Sequence, residues 1–206
     1  MTQPRSDKVL IIAEAGVNHD GDLNQALKLV DMAAEAGADI VKFQSFDARS
    51  LATAEATLAE YQYKSSLEEN SDGAGAQLAL LERLQLSWED HLALLRHCTD
   101  RGIEFFSTAF DLGSLQLLAD LGVRRFKIPS GEITNLPLMR RIASFGKDVI
   151  VSTGMAELSE VSAAIESLEI AGLAREKITL LHCTTEYPAP IHDVNLRAMD
   201  AMASSF

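Results

Sequence analysis

Two hydrophobic patterns alternate along the chain. Six short runs rich in β-branched residues lack regular polar alternation, which is typical of strands buried on both faces of a parallel sheet. The predicted strands are Val9–Ala13, Asp39–Phe43, Glu104–Ser107, Arg125–Ile128, Asp148–Ser152 and Lys177–His182. Between most of them, apolar residues recur at the three- and four-residue spacing of helices that pack on one face.

The predicted helices follow the strands in a regular order. They are Asn24–Ala36, Ser87–Arg101, Leu112–Leu121, Leu136–Phe145, Leu158–Ala171 and a last one from Asn195 onward. Ser87 and Asp90 have the spacing of a capping box, and a glycine follows the end of most helices. The repeated order of strand, helix and glycine predicts an α/β fold built from βα units.

Six βα units fit a TIM (β/α)8-type barrel of which about six of eight units are present. An open doubly wound sheet is the alternative, and polar residues at every strand end favour the barrel. The 206 residues have the length of one domain, so we expect a single, incomplete barrel over residues 1–206. The connection at about 45–86 is far longer than the others, which predicts either a lid or a solvated surface insertion.

Charge and cysteine content narrow the function classes. Lys and Arg number 18 against 30 Asp and Glu, a net charge of −12. Such a chain lacks the positive field that gathers nucleic acid or an anionic membrane, so neither is an expected partner. Two widely spaced cysteines, with no signal peptide and no run of membrane length, predict a reduced, cytoplasmic protein.

Polar side chains stand at the strand ends, where parallel α/β folds place their active sites. Lys42 and Gln44 share a face of the second strand, and Lys127 lies on the fourth. A lysine within a buried strand needs a partner, so the two lysines predict a bound anion such as phosphate or carboxylate. Hydroxyl groups at neighbouring strand ends would supply neutral donors: Ser107, Thr108, Ser130, Ser152, Thr153 and Thr185.

Two carboxylates also fall at strand ends. Glu14 and Glu132 could act as general base, general acid or ligand of sugar hydroxyls. Glu132 could equally be an acidic residue at a helix N-terminus. Tyr187, followed by Pro188 and Pro190, is predicted to lie in a rigid loop that presents its ring to a ligand.

The histidines and cysteines give weaker signals. His19 lies in a glycine-flanked turn, and His182 at the end of a strand is a candidate ligand or base. His91 and His97 are expected at the surface or in an interface. Cys183 follows His182 directly, so the two side chains point to opposite strand faces, which argues against a nucleophilic Cys–His pair.

Several long segments carry a family resemblance. They are IIAEAGVNHDGDLNQALKLVDMAAEAGADIVKFQSF, FFSTAFD, RFKIPSGEITNLPLMRRIA, VIVSTGMA and LHCTTEYPAP. From about Val9 to Met199 the chain resembles the sialic acid synthase family of N-acetylneuraminate and legionaminate synthases. The resemblance implies a TIM barrel that condenses phosphoenolpyruvate with an open-chain N-acyl mannosamine-type sugar to give a nonulosonic acid and phosphate. It also implies a divalent metal, usually manganese, which polarises the sugar aldehyde.

The resemblance assigns roles residue by residue. The matched phosphoenolpyruvate-binding positions are Lys42, Thr108, Lys127, Ser130, Ser152 and Thr185. Many family members have asparagine where this chain has Thr185. Sugar-contacting positions match Glu14, Gln44 and Tyr187, and Glu132 matches an acid with a role in proton transfer. Together with their positions at strand ends, this makes Glu14 and Glu132 the expected catalytic residues.

Some family features have no counterpart in these residues. The motifs that supply the two metal-binding histidines and the C-terminal antifreeze-like domain are not found, so we expect metal ligands beyond Phe206 and none in this chain. We expect the chain alone to be inactive or impaired, and to form a homo-oligomer, a dimer, through the edges of its first and sixth strands. The alternatives are a truncated, non-catalytic phosphate-binding or assembly subunit and a related keto-deoxy sugar acid synthase. Either N-acetylmannosamine or its 2,4-diacetamido-trideoxy analogue fits as the sugar.

Overall fold

A computed structural model describes residues 9–57, 75–186 and 188–206. The chain packs as two compact units, and the division falls after Ser107. The strands are β1 Ile12–Gly16, β2 Ile40–Ser45, β3 Glu104–Ala109, β4 Arg125–Ile128, β5 Asp148–Ser152 and β6 Ile178–Leu181. They form two three-stranded sheets, ordered β1-β2-β3 and β4-β5-β6, and the pairs β1–β2, β4–β5 and β5–β6 are parallel.

Helices connect the strands in both units. They are α1 Leu23–Glu35, α2 Ala48–Leu51, α3 Ala76–Leu84, α4 Trp88–Arg101, α5 Leu112–Asp120, α6 Leu136–Ser144, α7 Leu158–Ile170 and α8 Ala198–Ser205. The α/β class predicted from the hydrophobic pattern is confirmed, whereas closure into part of a single barrel stays a prediction. Within the described part of the chain, no helix has the length and apolar character needed to cross a membrane.

Each unit has its own hydrophobic core. In the first, Phe43, Phe106 and Leu94 of α4 are fully buried. In the second, Phe126 and Leu168 are buried with similarly apolar residues of α5 and α6. The buried side chains come from the strands and from one face of each helix, as the two periodicities predict.

Strand boundaries differ from prediction mainly at the first strand. The apolar run begins at Val9, but Val9, Leu10 and Ile11 are exposed, and β1 begins at Ile12. Its register partners in β2 begin with Ile12 opposite Ile40. β2 and β3 each extend two residues beyond prediction. The candidate residues at these strand ends therefore lie inside regular strands, where the ladder fixes their direction.

Helix caps follow the sequence closely. The Ser87 hydroxyl accepts a bond from the Asp90 amide at 3.1 Å, and the Asp90 carboxylate accepts one from the Ser87 amide at 2.9 Å. This confirms the predicted capping box at the start of α4. Gly102, at the end of α4, has the left-handed backbone (φ +67°) that glycine adopts without strain.

The long connection after β2 contains two helices, α2 and α3, that the sequence pattern did not predict. Arg49 of α2 pairs with Glu82 of α3 at 3.2 Å. Arg83 of α3 pairs with Asp20 in the turn after β1 at 3.1 Å. These contacts hold both helices against the first unit. A lid role stays a prediction, and residues 58–74 of the connection lie outside the described residues.

Candidate functional site

Three predicted site residues meet at the carboxyl ends of β1 and β2. Glu14 lies directly opposite Lys42 in the parallel register, and their side chains form an ion pair. The Lys42 side chain is 13% exposed and the Glu14 side chain 52%. A lysine so nearly buried needs a compensating partner, and the carboxylate on the neighbouring strand supplies it.

Gly16 explains how these side chains approach one another. The β1–β2 register shifts between Glu14 and Gly16, and Gly16 has φ +53°. A Cβ at Gly16 would lie 3.3 Å from Glu14 Oε1 and 3.8 Å from Gln44 Nε2. The glycine thus leaves the carboxylate and the amide on either side of one small space. The first unit therefore gathers an anion, a cation and an amide.

A second group lies at the carboxyl ends of β4 and β5. Lys127 is 8% exposed. Its ammonium donates to Ser152 Oγ at 2.5 Å and to the Ile128 carbonyl at 2.9 Å. Ser152 Oγ also lies 3.3 Å from Cys183 Sγ. A buried ammonium that donates to a serine hydroxyl at a strand end has the chemistry of an anion subsite.

Two more predicted residues converge at Gly154, just after β5. A Cβ at this glycine would lie 3.0 Å from Thr185 Cγ2 and 3.4 Å from both Ser130 Oγ and the Cys183 carbonyl oxygen. A side chain at position 154 would therefore push the two hydroxyl-bearing residues apart. The second unit brings Ser130 and Thr185 together here, and Cys183 links them to Ser152 and Lys127.

Glu132 is held at the start of α6. It lies in a 3-10 turn, Ser130–Glu132, and is half-buried. Its Oε2 accepts a bond from Asn135 Nδ2 at 2.6 Å, and Asn135 Oδ1 accepts one from the Leu138 amide at 3.2 Å. Asn135 is therefore both the helix cap and the residue that orients the carboxylate. Sequence reasoning missed it, although an asparagine just before a predicted helix is a capping signal.

Thr108 and Tyr187 are the other two residues predicted to contact a ligand. Thr108 is buried within β3, at 2% exposure. Tyr187 lies outside the described residues, so its sugar contact stays a prediction.

One prediction for the histidines is wrong. His91 is 2% exposed, not at the surface, because it lies on the face of α4 that packs inward and binds Ser45 Oγ at 2.7 Å. His97 is half-buried and contacts Asp31 of α1 at 2.8 Å. His182 donates from Nε2 to the Val194 carbonyl at 2.7 Å, so that nitrogen is engaged and is not a base or ligand in this arrangement.

Neither Cys98 nor the acidic side chains of the described residues add a further candidate site. Cys98 is buried, and burial raises the pKa of its thiol to about 12, which keeps it protonated at neutral pH. Among residues 9–57, 75–186 and 188–206, no group of three or more His, Cys, Asp or Glu side chains could hold a metal ion. The described residues therefore do not fit the divalent metal that the resemblance implies.

The fold and the two groups define an α/β protein with polar and charged side chains gathered at the carboxyl ends of parallel strands. The chain belongs to the NeuB family, whose sequence model matches residues 29–206. The resemblance to sialic acid synthases is confirmed.

Two relatives are N,N'-diacetyllegionaminic acid synthases. The Campylobacter jejuni enzyme is 51% identical over 199 residues, which is 97% of this chain and 58% of that protein. The Legionella pneumophila enzyme is 46% identical over 208 residues, which is 99% of this chain and 57% of that protein. The chain thus spans just over half the length of these relatives.

A solved structure extends the comparison to three dimensions. The N-acetylneuraminic acid (sialic acid) synthetase of Leptospira borgpetersenii, crystallised in complex with citrate, has a TM-score of 0.82 and 31% identity. The match covers 100% of this chain and 66% of that one.

Proposed function

We propose that this chain supplies the phosphoenolpyruvate-binding part of a nonulosonic acid synthase. The proposed reaction condenses phosphoenolpyruvate with an N-acyl mannosamine-type sugar and releases phosphate. The observation that carries the proposal is the buried pair of Lys127 and Ser152, with a Nζ to Oγ distance of 2.5 Å. The relatives' names support the same class of product.

The second unit suits the anionic reactant. The Lys127 ammonium and the Ser152 hydroxyl can donate to phosphate or carboxylate oxygens, because both groups can turn their donors to a ligand. Ser130 and Thr185 add hydroxyl donors beside Gly154. A charge-assisted bond from a nearly buried ammonium is stronger than one made in water, so a few such donors can hold an anion on a chain of net charge −12.

The first unit suits the sugar. The Glu14 carboxylate accepts hydrogen bonds from hydroxyl or amide groups, and the Gln44 amide both donates and accepts. Both flank the space that Gly16 leaves open. Lys42 is also assigned to phosphoenolpyruvate in our proposal. Because Lys42 forms an ion pair with Glu14, binding of one reactant should affect binding of the other.

The proposed chemistry balances without an external oxidant or reductant. C3 of phosphoenolpyruvate forms a carbon–carbon bond with the sugar aldehyde carbon, and the aldehyde oxygen takes a proton. Water adds at C2, and the C2–O bond to phosphate then breaks, which leaves the 2-keto acid and inorganic phosphate. We assign proton transfer to Glu132, whose carboxylate is oriented by Asn135.

A divalent metal, Mn²⁺, and a homodimer complete the proposal. Because the described residues do not fit a metal, we place its ligands outside them and derive no step through it.

Calorimetric titration of phosphoenolpyruvate into the wild-type chain and into Lys127→Ala tests the proposal. Loss of a charged hydrogen bond costs about 1.5–3 kcal/mol. We therefore expect Lys127→Ala to bind roughly 10- to 150-fold more weakly. Lys147→Ala is the matched control, because Lys147 lies in the same unit, is partly buried and donates to the Val123 carbonyl rather than to the site.

Circular dichroism must first show that all three chains are folded. Equal affinity of the wild type and Lys127→Ala would refute the anion subsite. Binding that depends on Lys127, with no turnover in the intact protein when Mn²⁺ and sugar are supplied, would favour the non-catalytic phosphate-binding alternative.

A further inference from the structure

A series of hydrogen-bonded, buried polar side chains lies at the carboxyl end of β2. Ser45 Oγ is 2.7 Å from His91 Nε2 and 2.7 Å from Ser107 Oγ. His91 Nδ1 is 2.7 Å from the Ser87 carbonyl oxygen. Ser45, His91 and Ser107 are each at most 2% exposed. This hydrogen-bonded series therefore joins β2, β3 and the first turn of α4 away from solvent.

The direction of each hydrogen bond follows from the one member that can only accept. The Ser87 carbonyl has no proton, so His91 donates to it from Nδ1. Burial lowers the pKa of His91, so its ring is neutral and Nε2 is an acceptor. Ser45 then donates to Nε2 and accepts from the Ser107 hydroxyl. Each donor therefore points the same way: Ser107 donates to Ser45, Ser45 donates to His91, and His91 donates to the Ser87 carbonyl.

The anchor at the helix end is itself rigid. Ser87 is the N-cap of α4 and shares the capping box with Asp90. The His91 ring meets the edge of Phe105, with centroids 6.3 Å apart at 84°, and Phe105 stacks on Phe43 of β2. Packing therefore holds the imidazole in one orientation, and the hydrogen bonds transmit that position to β2.

We propose that His91, acting through Ser45, is a positioning residue for the sugar-binding end of β2. Along β2 the buried Phe43 and Ser45 alternate with Lys42 and Gln44, which are less completely buried. Because successive strand residues face opposite sides, the bond at Ser45 fixes where Gln44 projects on the other side. This inference rests on the proposed function for the role of Gln44 and on the hydrogen bonds alone for the fixing of β2.

Replacing Ser45 with alanine removes the central member of the hydrogen-bonded series. It leaves His91 Nε2 and the Ser107 hydroxyl buried without their partner, and such groups reorganise to find new ones. The end of β2 then loses its defined position. A misplacement of about 1 Å at a binding group can cost up to roughly 100-fold in activity. We expect Ser45→Ala to raise the KM for the sugar about tenfold and to change kcat less.

The first measurement needs no variant. Long-range ¹H–¹⁵N spectra of the intact wild-type protein report which His91 nitrogen carries the proton. We expect protonation at Nδ1, the tautomer that the Ser87 carbonyl imposes. Protonation at Nε2 would overturn the proposed hydrogen-bond directions and with them the bond from Ser45 to His91.

The second measurement compares variants of the same segment. Ser45→Ala should shift the side-chain amide resonance of Gln44 and raise the sugar KM. Ser45→Thr, which keeps the hydroxyl, should restore both. Ser50→Ala is the matched control, because the exposed Ser50 hydroxyl donates to Asp47 Oδ2 at 2.9 Å, away from the buried hydrogen bonds of Ser45.

The results separate the two proposals. An unchanged Gln44 amide and an unchanged KM in Ser45→Ala would overturn the positioning role. A wild type without turnover would overturn the proposed function alone, because the tautomer and the Gln44 amide are both read without turnover.

Discussion

Two glycines with almost the same backbone angle offer a sharp test of how the turn after β1 is held. Gly21 has φ +78° and Gly37 has φ +80°. A Cβ at Gly37 meets nothing within 4 Å, whereas a Cβ at Gly21 would lie 2.1 Å from the backbone carbonyl oxygen of Arg83. Alanine at either position strains the backbone equally, so the difference between the two variants isolates the contact with α3.

The magnitudes follow from these distances. Alanine in the left-handed region costs about 1–2 kcal/mol, and the stiffer unfolded chain offsets about 0.4–1 kcal/mol of it. Gly37→Ala should therefore lose about 1 kcal/mol. At Gly21 the Arg83 carbonyl is backbone and must move by about 1 Å, which adds roughly 1–3 kcal/mol. The same shift loosens the Arg83–Asp20 pair and the bond from the Gly21 amide to His19 Nδ1.

Urea unfolding followed by circular dichroism measures the effect. With an m value of about 1–3 kcal/mol/M, Gly21→Ala should lower the midpoint by roughly 1–2 M and Gly37→Ala by about half a molar unit. Hydrogen exchange of α3 adds a local readout, and its protection should fall in Gly21→Ala alone. Equal midpoints and equal α3 protection in the two variants would refute the close packing of Gly21 on α3.

Two further predictions concern acid sensitivity and assembly. Burial lowers the pKa values of His19 and His91 below 6.5, so the unfolded chain binds more protons, and the free energy of unfolding should fall as pH drops from 7 to 5. Urea titrations at each pH check this, and a flat profile would contradict it. β1 and β6 end their sheet orders, so we expect a homodimer through these edges; a concentration-independent monomer in light scattering would count against it.

The sequence predicted elements whose signals are local. Strands β4 and β5 begin and end where the sequence pattern predicts, because short runs rich in buried apolar residues mark them locally. The helix caps were equally readable, since a cap depends on residues three positions apart. The start of β1 was not readable, because Val9–Ile11 are apolar yet exposed, and the register partners in β2 begin with Ile12 opposite Ile40.

The same distinction applies to the candidate site: residue types can be read from the sequence, whereas contacts that depend on strand register cannot. Residue types at strand ends select Lys127 and Ser152 as candidates, and the two lie at the carboxyl ends of the adjacent strands β4 and β5. The pairing of Glu14 with Lys42 depends on register, which periodicity does not contain. The sequence predicts His91 at the surface or in an interface, because a polar residue on a helix usually lies there, and only its partners on β2 and α4 explain its burial.

The ion pair between Glu14 and Lys42 alters how mutations at either residue should be interpreted. The resemblance assigns Lys42 to phosphoenolpyruvate and Glu14 to the sugar, as if they acted separately. Because the Glu14 side chain is 52% exposed and that of Lys42 only 13%, the carboxylate is the partner that can turn away to admit a ligand. Removing Glu14 would leave a nearly buried ammonium with less compensation, and so would change anion binding as well as sugar binding. The two substrates are therefore expected to respond together to a change at Glu14, and only a double-mutant cycle with Lys42 can separate their contributions.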